Sequence, residues 1–450
     1  MEQRVTRART LKGEITPPGD KSISHRALIL NSIARGRAEI SNFLPAADCL
    51  STLACLQALG VEIELHRACS ERSRRGKVVI HGVGKKGFVG PRDVLDAGNS
   101  GTTMRLLAGL LAAQPFVSVI TGDASLRTRP MDRVIQPLSL MGADIRGRDN
   151  NTRAPLTIRG PALSGVEGGM LHGIRYRLPM ASAQVKSSIL LAALFATGDT
   201  IIEQPAPSRD HTERMLQAMG ASIKSEGSTI TLSPITDPLA PLTLRIPGDI
   251  SSAAFWLMAG AIHPDARIRI MGAGTNPTRS GIIEVLQSMG ASLKIENERL
   301  EGREPVADLL IESSPLEGTN IGGDLIPRVI DEIPTIALAA SVASGTTVIR
   351  DAGELRVKEV DRISATVREL SKLGADIEEL PDGMIIHGVA QLRGGRCHSH
   401  GDHRLAMTLG IAGLVAEGET TITDAEVVDI SYPAFWEDLA RLSAQDVQRT

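Results

Sequence analysis

Aromatic side chains are the scarcest feature of this 450-residue chain: six Phe, two Tyr and two Trp make up 2% of it. So few rings argue against the stacking platforms that grip single-stranded nucleic acid. They leave the core to Ala, Leu, Ile, Val and Met. A surplus of either charge is missing too. Lys and Arg total 49 against 52 Asp and Glu, a formal charge of −3, which argues against a broad phosphate-backbone surface and a nucleic-acid partner. Any anion site must therefore be a local gathering of cations. The four cysteines, Cys49, Cys55, Cys69 and Cys397, form no CxxC pair and read as reduced thiols of a cytoplasmic protein. No apolar run reaches the ~20 residues of a membrane span. The opening MEQRVTRARTLKG carries basic residues without the apolar segment of a secretory signal. A cytoplasmic location and no membrane partner are expected.

Repetition is what the chain has in abundance. LQALGVEIEL starts at Leu56, LSLMGADI at Leu138, LQAMGASIK at Leu216, LQSMGASLK at Leu286 and LSKLGADIEE at Leu370. Each reads as the last turn of an amphipathic helix, a Gly C-cap and an alternating strand. Their glycines, Gly60, Gly142, Gly220, Gly290 and Gly374, recur roughly every 70 to 84 residues. A second element recurs in phase, a helix rich in Ala, Leu and Ile with polar residues at its mouth. Its six copies begin DKSISHR, NSGTTMR, MASAQVK, GDISSAA, DEIPTIA and GDHRLAM. Lacking a charged face, these helices should be buried nearly all round.

Six units result, the last with FWEDLARLSA from Phe435 standing in for the surface helix. PPGDKS near Pro17 and IPGDIS near Ile246 echo one another and divide the units three and three. The expected domains are 18–242 and 1–17 plus 243–450, the first fifteen residues joining the second domain. Polar helix mouths converging from both would aim helix dipoles at an anion in a cleft between them. Taken singly, each mouth is equally an ordinary N-cap.

Three motifs mislead. GVGKKG at Gly82–Gly87 is followed by Gly90 and Pro91 rather than by the helix of a dinucleotide site. GDKS places Asp20 where a phosphate loop needs glycine. HSHGDHR, His398 to Arg404, has ligand types for zinc, but Arg404 at a helix start favours anions, and no metal is expected.

The mouths hold the candidate chemistry. Lys21, Ser22 and Arg26 occupy positions 1, 2 and 6 of the first core helix; lysine supplies a mobile charge and arginine a fork for carboxylate or phosphate. Gly101 in NSGTTMR lets backbone N–H groups approach a ligand. Arg127 and Arg129 sit in the DASLRTRPM loop, and MASAQVKSS offers Ser182, Gln184 and Lys186. Arg209 follows in SRDHTE. In the second half, Asp331 and Glu332 stand at a helix mouth, where a carboxylate among cations is either neutralised structure or a general base. ELRVKEVDR contributes Lys358, Glu359 and Arg362, with Lys358 and Arg362 on one face if helical; taken alone, the stretch reads as a surface ion-pair helix before it reads as a site. GDHRLAM adds His403 and Arg404.

Seven blocks in order, PGDKSISHR, GNSGTTMR, GDASLRTRPM, PMASAQVKS, SRDHTE, LRVKEVDR and GDHRLAM, resemble the 5-enolpyruvylshikimate-3-phosphate synthase family, the 3-phosphoshikimate 1-carboxyvinyltransferases, from about Leu11 to Trp436. The resemblance implies an α/β fold of two similar domains, each of three βαβαββ-type repeats, arranged as an inside-out α/β barrel. It implies transfer of the enolpyruvyl group of phosphoenolpyruvate to the 5-hydroxyl of shikimate 3-phosphate, with release of phosphate, no metal and no cofactor. Carried over, Lys21 touches both substrates and takes part in proton transfer. Ser22, Arg26, Ser182, Gln184, Arg209, Asp331 and Lys358 hold shikimate 3-phosphate. Gly101, Arg129, Gln184, Arg362, His403 and Arg404 bind phosphoenolpyruvate. Asp331 accepts the hydroxyl proton, and Glu359 serves exchange at the methylene carbon. The family's inhibitor glyphosate should bind beside Gly101. A monomer is expected.

The chain departs from the family where many members carry a lysine before the last aromatic-proline element; here it reads DISYPAF, with Ser431 and Tyr432. The sister enzymes acting on UDP-N-acetylglucosamine carry a reactive cysteine in the loop matching GDASLRTRP, which has none here. That sister reaction and a non-catalytic anion-binding repeat protein are the alternatives.

Overall fold

Five surface helices end in the same way. Ala47–Ala58, Asp132–Leu140, His211–Ala218, Gly281–Ser288 and Arg362–Lys372 run into Gly60, Gly142, Gly220, Gly290 and Gly374, whose φ angles lie between 83° and 100°. A Cβ would strain that conformation. In each case the next N–H reaches back to the carbonyl of the repeat's leucine: Val61 to Leu56, Ala143 to Leu138, Ala221 to Leu216, Ala291 to Leu286 and Ala375 to Leu370, at 2.9–3.1 Å. This closes the helix and turns the chain into a strand. The computed structural model describes residues 1–67, 76–163 and 169–444; Cys69 lies outside them.

The six core helices span Lys21–Ile33, Gly101–Leu111, Ala183–Ala193, Ile250–Ile262, Ile333–Val342 and His403–Val415. Side chains of Asp20, Ser100, Ser182, Asp249 and Asp402 cap five of them by accepting first-turn N–H groups. At the fifth, Glu332 holds the cap position without capping, and Pro334 in the first turn has no N–H to satisfy. That exception frees the Glu332 carboxylate for other partners.

Each repeat places a core helix and a surface helix on a small mixed sheet. In the second, Leu95–Asp96 pairs parallel with Val117–Thr121, and Arg153–Arg159 lies antiparallel between that strand and Asp144–Gly147. A parallel pair needs a crossover, which the core helix supplies. Two repeats borrow their first strand. Leu244–Arg245 pairs with Arg35–Phe43, and Leu11–Ile15 with Ala266–Gly274. In the sixth, Glu2–Thr6 pairs antiparallel with Glu419–Thr423, completing a three-stranded sheet, and helix Phe435–Ser443 takes the surface position.

The chain divides into two compact units. The first comprises Gly19–Ile246 with Glu301–Glu304, and the second Met1–Pro18, Pro247–Leu300 and Pro305–Thr450. Each holds three core helices and its own apolar core. In the first unit, a Cβ on Gly109 would stand 2.1 Å from the Ser188 carbonyl oxygen; only glycine lets the second and third core helices pack so closely. In the second, Phe255, Trp256, Tyr432, Phe435 and Trp436 form one aromatic cluster. Trp256 Nε1 donates to the Tyr432 hydroxyl at 3.1 Å, which donates to Asp438 at 2.8 Å. Tyr432, at the point of family departure, is thus core structure. Cys49, Cys55 and Cys397 are buried and unpaired with one another, and burial pushes the Cys55 and Cys397 thiols up to about 12, out of nucleophilic range at neutral pH. Among the described residues no helix is long and apolar enough to cross a membrane.

Candidate active site

In the first unit, the mouths of three core helices carry the predicted cations. Lys21 opens the first helix, and its Nζ lies 3.1 Å from Asp48 Oδ2. Arg209 Nη1 lies 3.4 Å from Ser22 Oγ. The Arg26 guanidinium is buried. Nε donates to Thr212 at 2.7 Å, Nη1 to the Ser22 carbonyl at 3.0 Å, and Nη2 to Ser187 at 2.9 Å. Burial pulls its pKa down to about 10, which leaves it charged at neutral pH. Arg26 therefore ties the first core helix to the third and to the helix that follows Arg209, as a brace.

At the second and third mouths, Arg105 Nη1 donates to Gln184 Oε1 at 2.5 Å, and Gln184 Nε2 donates to Thr102 Oγ1 at 2.9 Å. Arg129 Nη2 donates to Asn99 Oδ1 at 2.7 Å. A Cβ on Gly101 would lie 3.0 Å from Arg105 Nη1 and 3.5 Å from Arg129 Nη1. Ser182 Oγ caps its helix through the Val185 N–H at 3.4 Å. Arg105 and Asp48 were not singled out by sequence. Arg105 sits inside a quoted motif, but only the packed structure brings it to Gln184. Two singled-out residues lie elsewhere. Arg127 is exposed. Lys186 is fully buried, its Nζ 2.6 Å from Glu213 and 3.1 Å from the Ser208 carbonyl.

A buried hydroxyl chain supports these mouths. His25 Nδ1 lies 2.7 Å from Thr52 Oγ1, Thr52 Oγ1 lies 2.6 Å from Thr103 Oγ1, and Thr103 Oγ1 reaches Ser100 Oγ at 2.8 Å and the Asp48 carbonyl at 3.3 Å. Burial, partly opposed by Asp48, lowers the His25 pKa from 6.5 to about 3. A depressed folded pKa means stability is complete above pH 6.5 and is lost as the pH falls toward 3, because only the unfolded chain takes the proton. Between pH 7 and 5 this accounts for about 2 kcal/mol. His25→Asn should remove that share of the acid sensitivity, read from urea midpoints at the two pH values. Equal pH dependence in both proteins would refute the neutral, buried imidazole.

In the second unit, arginines and carboxylates interleave at the mouths of the other three core helices. Arg362 is buried, and its three nitrogens each meet a carboxylate: Nε to Asp402 at 2.6 Å, Nη1 to Asp331 at 3.3 Å and Nη2 to Glu359 at 2.7 Å. Burial alone would discharge it, but Asp402, Glu359 and Asp331 outweigh that and hold its pKa well above the usual arginine value. Arg404 Nη2 lies 3.7 Å from Asp331 Oδ2. Arg279, unnoticed in the sequence, lies 2.9 Å from Glu332 and 4.0 Å from Asp331. Asp402 does double duty, capping the sixth core helix with one oxygen and binding Arg362 with the other. His403 is buried in the first turn of that helix.

Lys358 is not on a shared helical face with Arg362. Asp361 caps the helix that starts at Arg362, accepting from Ile363 and Ser364, so Lys358 lies in extended chain after the short 3-10 turn Gly353–Val357. Desolvation lowers the Lys358 pKa, against the pull of Asp331. The first two histidines of HSHGDHR lie with ring centroids 4.7 Å apart and meet different carboxylates: His398 Nε2 lies 3.1 Å from Asp424, and His400 Nε2 lies 2.8 Å from Glu369. Among the described residues, the ligand atoms close enough to share a cation are those of Glu62, Glu64 and His81. They lie on paired strands, outside the helix mouths.

The two groups differ in chemistry. The first is a cationic cradle with helix N-termini, suited to phosphate and carboxylate. The second sets carboxylates among arginines, suited to moving protons next to negative charge.

Comparison with known proteins gives one family. The family model for EPSP synthase (3-phosphoshikimate 1-carboxyvinyltransferase) matches residues 5–439. A 3-phosphoshikimate 1-carboxyvinyltransferase of Herpetosiphon aurantiacus is 54% identical over 444 residues, covering 98% of this chain and 99% of the relative. That of Chloroflexus aurantiacus is 55% identical over 439 residues, covering 97% and 98%. The solved EPSP synthase of Acinetobacter baumannii superposes with a TM-score of 0.86 at 44% identity, over 100% of this chain and 99% of that one.

Proposed function

The chain belongs to the EPSP synthase family, and from that premise we propose that the helix-mouth residues of both units serve one pair of substrates. The enzyme is a 3-phosphoshikimate 1-carboxyvinyltransferase: it moves the enolpyruvyl group of phosphoenolpyruvate to the 5-hydroxyl of shikimate 3-phosphate and releases phosphate. Its fold is the two-domain enolpyruvyl transferase fold. The UDP-N-acetylglucosamine reaction and a non-catalytic role are not favoured.

In this proposal Lys21, Ser22, Arg26, Ser182, Gln184, Arg209, Asp331 and Lys358 hold shikimate 3-phosphate. Lys21, Gly101, Arg129, Gln184, Arg362, His403 and Arg404 hold phosphoenolpyruvate. Asp331 takes the proton of the 5-hydroxyl as its oxygen bonds to C2 of phosphoenolpyruvate, while C3 gains a proton, giving a tetrahedral ketal. In the second step the C–O bond to phosphate breaks as the new methyl group returns a proton, with Lys21 and Glu359 as the proton-handling groups. The observation that carries this reading is the Arg362 guanidinium, which holds both proposed proton-transfer carboxylates, Asp331 and Glu359, at 3.3 and 2.7 Å. A single planar fork thus sets their separation. These side chains suffice for the proton transfers, and the proposal includes no metal and no organic cofactor. It also includes a cytoplasmic monomer.

Gly101→Ala tests the division of labour. The added methyl would crowd Arg105 Nη1 at 3.0 Å and approach Arg129 Nη1 at 3.5 Å, the latter assigned to phosphoenolpyruvate. KM for phosphoenolpyruvate should rise about tenfold, glyphosate inhibition should weaken at least as much, and KM for shikimate 3-phosphate should stay within about twofold. Unchanged glyphosate inhibition, or a rise confined to shikimate 3-phosphate, would overturn the assignment.

A further inference from the structure

The turn Thr275–Ser280 is built to deliver one side chain. Asn276 Oδ1 accepts from the Thr278 N–H at 2.9 Å and its hydroxyl at 2.8 Å, and the Asn276 carbonyl accepts from the N–H groups of Arg279 and Ser280. The turn is pinned to the segment that precedes Asp331. Arg328 Nε donates to the Pro277 carbonyl at 2.9 Å, and a Cβ on Gly281 would lie 2.7 Å from Val329. From this platform the buried Arg279 guanidinium enters the mouths of the fourth and fifth core helices. Nη1 donates to Glu332 Oε1 at 2.9 Å, and Nη2 donates to Ser251 Oγ, 3.7 Å from Asp249 and 4.0 Å from Asp331 Oδ2. Ser251 Oγ also bonds Glu332 Oε1.

Glu332 is almost wholly buried and adjacent in sequence to Asp331. A buried carboxylate without a cation takes up a proton or repels its neighbours. We propose that Arg279 is a positioning residue for the reaction: it neutralises Glu332, fixes it against Ser251, and so keeps the neighbouring Asp331 ionised and aimed as the base. This rests on the reading of Asp331 as the proton acceptor. Among the described residues, the charges facing Asp331 include Arg362 from the helix it starts, Arg404 from the sixth core helix, Lys358 from the preceding extended segment and Arg279 from the turn, with Glu332, Glu359, Asp249 and Asp402 opposing them. Removing Arg279 leaves Glu332 as an uncompensated negative neighbour of Asp331. A merely structural arginine would change folding and leave the proton chemistry alone.

The test is the pH profile of kcat, followed by phosphate release at saturating substrates, in Arg279→Gln, Arg279→Lys and the charge-balanced pair Arg279→Gln/Glu332→Gln. In Arg279→Gln the acid limb should move up by about one pH unit, so that kcat falls by up to about tenfold on the acid side of the limb, with both KM values within about threefold. Arg279→Lys should return most of the limb. The pair should return it as well, because it removes the negative charge that Arg279 offsets; being charge-balanced, it also serves if Arg279→Gln does not fold. An acid limb at the wild-type position in Arg279→Gln, or displaced equally in the pair, would overturn the proposal. An Asp331→Asn enzyme of wild-type kcat would instead overturn the base assignment on which it rests, so the two failures are distinct.

Discussion

Asp331→Asn is expected to lower kcat about 1000-fold while leaving KM for both substrates unchanged or lower. General-base catalysis contributes about 10²- to 10⁴-fold, and the substitution removes the proposed base while keeping side-chain shape. Asp331 lies 3.3 Å from Arg362, 3.7 Å from Arg404 and 4.0 Å from Arg279. With Arg362 and Arg404 holding phosphoenolpyruvate as proposed, an amide no longer competes for them, so anion binding should not suffer, and phosphoenolpyruvate should bind as well or better. The separation of kcat from KM is the diagnostic. Steady-state phosphate release with shikimate 3-phosphate checks it. A kcat within tenfold of wild type, or a loss confined to KM, would remove Asp331 from the role of base.

Lys186→Met is expected to destabilise the first unit by about 3–5 kcal/mol. Lys186 is fully buried, and its Nζ pairs with the buried Glu213 at 2.6 Å and donates to the Ser208 carbonyl at 3.1 Å. Methionine fills the space of the lysine stem, so packing is nearly kept. The cost comes from a carboxylate left without its cation in a dry setting. Lys186→Met/Glu213→Gln should recover most of the loss, since replacing both partners removes the stranded charge. Urea unfolding followed by circular dichroism reads this, taken from the transition to which the first unit contributes. A single-variant loss below about 1 kcal/mol would show that Glu213 is served by other groups. Because Lys186 also holds the carbonyl just before Arg209, a raised KM for shikimate 3-phosphate should accompany the lost stability.

The contrast between Lys186 and Lys21 shows how far the helix mouths were legible. Both are lysines near the start of an Ala- and Leu-rich helix, and sequence offered both as ligands. Lys21 is the first residue of its helix and stays partly exposed; Lys186 is one turn further in and fully buried. One turn of helix separates the proposed substrate cation from a structural one, and local pattern does not report that depth. The helical face expected to join Lys358 to Arg362 failed for a related reason. The stretch ELRVKEVDR has helical spacing, but Asp361 starts the helix later by taking two first-turn N–H groups. Arg279 and Asp48 carried no signal, since neither falls at the mouth of a core helix in the chain's own order.

What the chain determined by itself is what depends on neighbours in sequence. The glycine-closed helices, the Asp and Ser caps and the sixfold recurrence are of this kind, because a cap or a left-handed turn is settled by hydrogen bonds across three to five residues. The chemical type of the site followed from the same local facts: cations and carboxylates clustered at helix starts. Tertiary structure decided which nitrogen meets which oxygen. Arg362 reaches Asp331 and Asp402, and Arg279 reaches Glu332, across 31, 40 and 53 residues of chain. Those meetings exist only because buried helices are packed side by side, so that burial makes each charge find a partner that sequence spacing never names.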